Sequence, residues 1–133
     1  MKSTILPILA SLLLIAATGC QSLPQGNVEQ KTRVTHVVVC WLKHHGDVAE
    51  RRKLVEASKT FRAIPGVTDV SVGKALVSQR PGVDASFDVA VVIGFKDEKS
   101  LAEYGKNPIH LKAVKELLMP LASKYVIYNF VNQ

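Results

Sequence analysis

Apolar and polar residues follow two different periods along the chain after residue 32. A period of two predicts β-strands, and a period near 3.6 predicts amphipathic helices. The segments with strand character are 34–43, 67–76, 87–95 and 126–131. Two helices are predicted between them, beginning at Asp47 and Asp97 and running to about residues 63 and 119. The order β-α-β-β-α-β predicts an α+β, ferredoxin-like fold, with one antiparallel sheet and two helices on one face.

The second predicted helix is interrupted near its middle. Asn107 tolerates a turn, and Pro108 fixes φ and suits the first position of a new helix, where its missing N–H costs nothing. The pair therefore ends one helix and starts another. Tyr104 and His110 stand on either side of this turn, and we expect a phenol and an imidazole to face the same way there.

The first predicted strand is apolar on both faces. One face carries His36 and Cys40, and the other carries valines and a tryptophan. With helices on one side only, the second face would expose an apolar patch on the order of several hundred Å², which monomers rarely tolerate. A second copy, sheet against sheet in a two-fold homodimer, would cover it. The residues that we assign to this interface are Val37, Val39, Trp41 and Val92.

Residues 1–19 have the features of a signal peptide, with an apolar run at 5–17 that is too short to span a bilayer. The cysteine that follows Gly19 resembles the lipobox of bacterial lipoproteins. That resemblance implies cleavage before Cys20 and lipid attachment to its sulfur and amine. Ordinary secretion, with Cys20 inside a discarded peptide, is the alternative. Residues 20–32 are then a flexible tether, and the folded domain is 33–133.

Glutamine, not aspartate, follows Cys20, so the usual inner-membrane retention signal is missing. We therefore expect an exported, membrane-anchored protein, on the outer membrane facing the periplasm if the cell is Gram-negative. Without Lys2 the chain has 16 Lys and Arg against 11 Asp and Glu, a formal charge of +5. These charges are dispersed, which favours solvated helix faces over a membrane-binding patch. Nucleic-acid binding is not expected, because no aromatic stripe or glycine-rich phosphate loop accompanies them.

Several motifs, in this order and spacing, resemble the stress-responsive A/B barrel (Dabb) family. They lie at residues 36–43, 64–67, 72–74, 87–90 and 104–110. The resemblance covers residues 33 to 130 and implies a dimeric α+β barrel, in agreement with the interface argued above. The family often has an aspartate near the end of its final strand, where this chain has Asn129.

The resemblance also implies a chemistry. A plant polyketide cyclase of this family has a catalytic tyrosine and histidine at the spacing of Tyr104 and His110. By similarity His110 would be a general base, Tyr104 a hydrogen-bond donor to a developing oxyanion, and His36 an assisting residue. The implied ligand pocket lies between helices and sheet. Its expected walls are Val38, Cys40, Leu54, Ala57, Val91 and Leu121.

Three functions remain open on the sequence. The leading one is a stress-related, membrane-anchored protein that binds a small, mostly apolar ligand without turnover. The second is a cofactor-free cyclase or lyase, and the third is a structural oligomeric stress protein. No cofactor or metal is expected: His44 and His45 are adjacent on a strand and so point apart, and no carboxylate stands at ligand spacing. A lone cysteine in an apolar strand, such as Cys40, is usually an inert core residue.

Overall fold

The computed structural model of the protein describes residues 33–133. The predicted signal peptide, Cys20 and the tether lie outside this range. Within it, no helix is both long enough and apolar enough to cross a membrane.

The described chain forms four strands and two broken helical segments. In chain order the elements are β1 (Val34–Leu42), α1 (Val48–Lys59), a 3₁₀ turn (Thr60–Ala63), β2 (Val67–Gly73), β3 (Val89–Phe95), α2 (Glu98–Lys106), α3 (Pro108–Ala113), a π-helical turn (Val114–Leu118), α4 (Met119–Leu121) and β4 (Ala122–Val131). The sheet order is β2-β3-β1-β4, and all neighbouring strands are antiparallel. The predicted ferredoxin-like α+β fold is confirmed.

The hydrophobic core lies between the helices and one face of the sheet. On β3, Val89, Val91, Ile93 and Phe95 are all buried, whereas Val92 between them is 37% exposed. This is the alternation that a half-buried strand requires. Helical residues close the core from the other side: Leu54, Phe61, Ile64 and Tyr104.

Both long helical segments begin as the sequence predicts. The Asp47 carboxylate accepts a hydrogen bond from Glu50 N at 2.8 Å, and the Asp97 carboxylate accepts one from Ser100 N at 2.8 Å. Each bond satisfies a backbone donor that the first helical turn leaves without a partner. The Asn107–Pro108 break also forms where predicted, between α2 and α3.

The strand ends differ from the prediction in four places, the first being the end of β1 at Leu42 rather than residue 43. The second strand ends at Gly73 rather than residue 76, because Gly73 opposite Ala90 is the last paired position. The third begins at Val89 rather than residue 87, because the preceding Asp88 turns its carboxylate to the β1–α1 connection. The last strand begins at Ala122 rather than residue 126. Regular pairing continues through Tyr125 and Lys124, opposite Cys40 and Trp41, and the register shifts only between Trp41 and Leu42.

The outer face of the sheet is apolar and bears no helix in the described part of the chain. The register places Tyr128 beside Val37 and Val126 beside Val39. Tyr128 is 58% exposed, and its neighbour on the same face, Phe130, is 52% exposed. The residues predicted for a dimer interface lie on this face, which we call the open face: Val37, Val39, Trp41 and Val92.

Candidate functional site

The Asn107–Pro108 turn brings a tyrosine and a histidine together. Asn107 N donates to Tyr104 O at 3.0 Å and ends α2, and the Asn107 side chain accepts from Ile109 N at 2.9 Å and starts α3. Tyr104 therefore lies on the last turn of α2 and His110 on the first turn of α3. Their ring centroids are 4.3 Å apart, with planes inclined by 40°.

These two rings line a cavity of about 340 Å³ between the helices and the inner face of the sheet. This volume is in the range of small-molecule sites, roughly 300–1,000 Å³. The residues that line it are His36, Val38, Cys40, Leu54, Ala57, Ser58, Phe61, Val89, Val91, Ile93, Leu101, Tyr104, Gly105, His110, Ala113, Val114, Leu118, Tyr125, Ile127 and Asn129. Apart from Leu121, every residue that the sequence analysis assigned to the catalytic group or the pocket walls is among them.

Leu121 was wrongly assigned to the pocket. It is half-buried and packs against the hydrophobic core at the start of β4. Regular helical spacing after His110 predicted it, but residues 114–118 form a π-helical turn. A π turn contains more residues than an α turn, so it rotates the following side chains out of the expected phase. Leu118 lines the cavity instead.

His36 is buried and oriented by the last strand. Its Nδ1–H donates to Asn129 Oδ1 over 2.6 Å, so the neutral ring has its lone pair on Nε2. Burial lowers the pKa of His36, although the bond to Asn129 acts in the opposite direction. The imidazole is therefore neutral at pH 7, and Nε2 can accept a proton or a hydrogen bond.

His110 has the same tautomer for a different reason. Its Nδ1–H donates to Gly105 O at 3.3 Å, a carbonyl in the last turn of α2. Burial lowers the pKa of His110; the bond to Gly105 raises it, and the proximity of His36 lowers it further. Two neutral imidazoles, each with a free Nε2 lone pair, thus line one cavity.

Tyr104 lies between the two histidines and is held by other rings. It packs edge-on against Phe95 and Phe61, with centroid distances of 5.0 and 5.6 Å, and lies 5.8 Å from His36. Burial raises the pKa of the Tyr104 phenol well above its ordinary value, so the hydroxyl keeps its proton. Among residues 33–133, Glu50 Oε2 is the one fully enclosed side-chain oxygen without a partner. No described residue bonds the Tyr104 hydroxyl, so it is open to the cavity.

The cavity thiol is unreactive. Cys40 is 3% exposed, and burial together with the nearby Asp88 charge raises its pKa to about 11. A thiol is a poor nucleophile until it ionises. The polar chemistry of the cavity therefore rests on two imidazoles, the phenols of Tyr104 and the more exposed Tyr125, the Ser58 hydroxyl and the Asn129 amide.

Comparison with known proteins places the fold and its motifs in a family. The model of the stress-responsive A/B barrel domain, Dabb, matches residues 34–132, nearly all of the described chain. The chain belongs to the Dabb family. A search of curated proteins finds no match.

Solved structures resemble this Dabb chain over most of their length. A Dabb protein with a ferredoxin-like fold from Mesorhizobium loti is 27% identical, with a TM-score of 0.63, covering 77% of this chain and 98% of the other. A dimeric ferredoxin-like protein from Thermobifida fusca is 20% identical, with a TM-score of 0.64 and coverage of 77% and 93%. Hydroxynitrile lyase from Passiflora edulis is 18% identical, with a TM-score of 0.67 and coverage of 77% and 95%. The last two likenesses establish the fold alone.

Sequence reasoning missed several residues of this Dabb cavity, of which Asn129 matters most. The register pairs Asn129 with His36, so both side chains lie on the helix-facing side of the sheet. The alternation of Val126, Tyr128 and Phe130 was a usable signal, because it leaves Asn129 on the opposite face. Tyr125 lies on the face of Asn129 by the same alternation, and Phe61 stands at helical spacing from Leu54 and Ala57, so both had a signal in the sequence. The π-helical residues had none, since their placement depends on tertiary packing.

The two histidines after β1 are structural. His44 Nδ1 lies 2.8 Å from Glu50 Oε1, and His45 Nδ1 lies 3.0 Å from Asp88 Oδ2. Each ring therefore has a carboxylate partner, and one of these partners, Asp88, comes from a distant part of the sequence. No cluster of three or more His, Cys, Asp or Glu suited to a metal ion occurs in residues 33–133.

Proposed function

We propose that this Dabb domain binds a small, mostly apolar molecule in the cavity, as a membrane-tethered homodimer. The cavity itself carries the proposal: about 340 Å³ of space lined mainly by aliphatic and aromatic side chains. Its polar groups include His36, Tyr104, His110 and Asn129. A predominantly apolar pocket with a few convergent polar groups is the usual form of a small-molecule site.

Filling the cavity tests the proposal. Ala57 lines the cavity on α1, whereas Ala49 on the same helix is exposed. A neutral fluorescent probe, N-phenyl-1-naphthylamine, is expected to bind the wild type saturably. In Ala57→Phe its affinity is expected to fall at least tenfold, because the new ring occupies the space, while Ala49→Phe leaves it unchanged. An absence of saturable binding to the wild type, or equal binding to the two variants, would contradict the proposal.

The homodimer is supported by the open face of the sheet. Exposed aromatic residues, Tyr128 and Phe130, continue the apolar surface formed by Val37 and Val92. Such a surface is larger than isolated monomers usually expose. The protein from Thermobifida fusca, which shares this fold, is dimeric. Sheet-to-sheet association leaves the cavity free, because it lies on the opposite side of the sheet.

The membrane tether rests on the sequence around Cys20. A lipid attached there, followed by the tether 20–32, would hold the domain at the membrane surface. Labelled palmitate is expected to enter the wild-type protein and not a Cys20→Ala variant. The variant is expected in the soluble fraction, and its retention in membranes would refute the anchor.

A second candidate function is lyase or cyclase catalysis at the same cavity. It is favoured by the convergence of one phenol and two imidazoles with free Nε2 atoms. His110 would remove a proton from the substrate, Tyr104 would donate a hydrogen bond to the oxygen that gains charge, and His36 would assist. For a hydroxynitrile, loss of the hydroxyl proton and cleavage of the carbon–cyanide bond give an aldehyde, and cyanide leaves with the electron pair. The Passiflora edulis neighbour is named for this substrate class.

Kinetic assays separate the two functions. If the cavity is catalytic, cleavage of a small aromatic hydroxynitrile raises the aldehyde absorbance, and His110→Asn is expected to lower kcat/KM by about 100-fold or more. The conservative Tyr128→Phe variant, on the open face and away from the cavity, is the matched control. Binding of the substrate with no turnover above background would leave ligand binding as the function.

A further inference from the structure

The cavity contains no formally charged side chain. None of the residues that line it, all within 33–133, is Lys, Arg, Asp or Glu, although the chain as a whole carries a net charge of +6. A cation placed in such a site loses its hydration and finds no counter-charge, and an anion gains one only if an imidazole takes up a proton, which burial disfavours. The site therefore selects against carboxylates, phosphates and ammonium groups.

The residues that line the cavity leave a defined set of hydrogen-bond donors and acceptors for a ligand. Nδ1 of His36 and Nδ1 of His110 are already engaged by Asn129 and Gly105, so each ring offers an Nε2 acceptor. The hydroxyl groups of Tyr104 and of the more exposed Tyr125 each offer a donor and an acceptor, and the Asn129 amide nitrogen offers further donors. The Ser58 hydroxyl is occupied as a donor, because it bonds Leu54 O at 2.8 Å.

We propose that the ligand is a neutral molecule with one hydroxyl group, such as an alcohol, phenol or enol, on an otherwise apolar body. Its O–H donates to an imidazole Nε2, and the same oxygen accepts from the Tyr104 hydroxyl. A single hydroxyl thus satisfies both kinds of group, whereas an ether can only accept. This inference rests on the proposed ligand-binding function and adds the chemical class of the ligand.

Cavity size limits the apolar body. A dry cavity of about 150 Å³ suffices for benzene, so a cavity of about 340 Å³ accommodates roughly two rings or an alkyl chain of similar volume. The walls around such a body are aliphatic, with Val38, Leu54 and Val91 among them. Contact with these apolar walls provides affinity, and hydrogen bonds to His36, Tyr104 and His110 provide selectivity for the ligand.

A matched series of probes tests the inference on the full chain in lipid nanodiscs at pH 7.5. The probes are 2-naphthol, 2-methoxynaphthalene, naphthalene and 2-naphthoate, and Ala57→Phe serves as the blank for partition into lipid. We expect 2-naphthol to bind at least tenfold more tightly than 2-methoxynaphthalene, and 2-naphthoate at least tenfold more weakly than naphthalene. In Tyr104→Phe the preference for 2-naphthol over 2-methoxynaphthalene is expected to fall severalfold, with naphthalene affinity unchanged; Tyr128→Phe on the open face should keep the preference.

The outcomes of these measurements distinguish failure of the hydroxyl assignment from failure of the proposed ligand-binding function. Equal affinities for 2-naphthol and 2-methoxynaphthalene would overturn the hydroxyl assignment while ligand binding stands. Tight binding of 2-naphthoate would overturn the requirement for neutrality. If no probe binds above the Ala57→Phe blank, both the ligand-binding function and the inference fail.

Discussion

The contact between His36 and Asn129 fixes which nitrogen of the His36 imidazole carries the proton. An amide oxygen accepts the Nδ1–H bond at 2.6 Å without adding charge, so burial keeps the imidazole neutral. A carboxylate in the same place would favour the imidazolium form and introduce a buried ion pair. The resemblance to the family implied that an aspartate often stands there, so this chain has a less polar cavity than the family pattern suggests.

Asn129→Asp is predicted to raise the pKa of His36. A carboxylate that replaces the amide stabilises the protonated ring, and such a partner shifts a pKa by about 1–3 units. Titration of the His36 ring by NMR measures the change. Asn132→Asp is the control, because Asn132 is exposed and accepts from Thr35 Oγ1 at 3.0 Å, away from the imidazole. An unchanged His36 titration in Asn129→Asp would show that the amide does not control the protonation of the ring.

Asn129→Asp is also predicted to change how the free energy of unfolding depends on pH. The folded-state pKa values of His36 and His110 are lowered, so the unfolded chain binds more protons at mildly acidic pH. The stability that these two histidines contribute is therefore fully present above the unfolded-state pKa of about 6.5. It is lost as the pH falls below that value. Urea unfolding between pH 7.5 and 5.5 is expected to show a smaller loss in Asn129→Asp than in the wild type.

At the scale of elements, the features of the site that depend on neighbouring residues were predicted from the sequence. The features that depend on contacts between distant residues were not. Asn107 and Pro108 specify the break within a few residues, so the proximity of Tyr104 and His110 followed from sequence spacing. The π-helical turn at 114–118, where Leu118 rather than Leu121 lines the cavity, departs from the regular helical period and has no local sequence signal. The pairing of β4 with β1 depends on tertiary register, so the contact of Asn129 with His36 was not predicted, although the alternation along β4 indicates the face on which Asn129 lies.

The close approach of the α1–β2 turn to α2 is an element-scale constraint that helps position Tyr104. Gly66, at φ +89°, has Ser100 so near that an added Cβ would lie 2.5 Å from Ser100 Cβ. Gly66 O also accepts from Lys96 N at 3.1 Å, just before α2 begins. This contact ties the turn to the helix that carries the phenol.

Gly66→Ala is predicted to destabilise the domain more than Gly46→Ala. Gly46 has a similar φ of +80° but nothing within 4 Å of an added Cβ, so both variants share the left-handed backbone strain of about 1–2 kcal/mol. The clash with Ser100 adds about 1–3 kcal/mol for Gly66 alone. Urea unfolding of the two variants measures the difference, and equal free energies of unfolding would mean that α2 moves away without cost.

At the scale of the molecule, residues 33–133 form a sheet with one face covered by helices and one face that no helix of this range covers. The uncovered face was predicted from the sequence because β1 is apolar on both of its faces. A monomer with helices on one side of the sheet requires an apolar face on that side only. The extent of the open face was not predicted, because the sequence does not show that β4 pairs with β1 and places Tyr128 beside Val37 and Val126 beside Val39. The exposed Tyr128 and Phe130 enlarge the surface that a second copy would cover.

Val92→Lys is predicted to convert the dimer into a monomer. Val92 is 37% exposed near the middle of the open face, so the monomer tolerates a lysine there, whereas a sheet-to-sheet dimer would have to bury its charge. Leu76→Lys is the control, because Leu76 is 85% exposed and lies in the β2–β3 loop, outside the sheet. Sedimentation of residues 33–133 at micromolar concentration is expected to give dimers for the wild type and Leu76→Lys, and monomers for Val92→Lys. Circular dichroism establishes that each variant is folded. A folded Val92→Lys protein that remains dimeric would place the interface elsewhere, and the apolar open face would then require another partner.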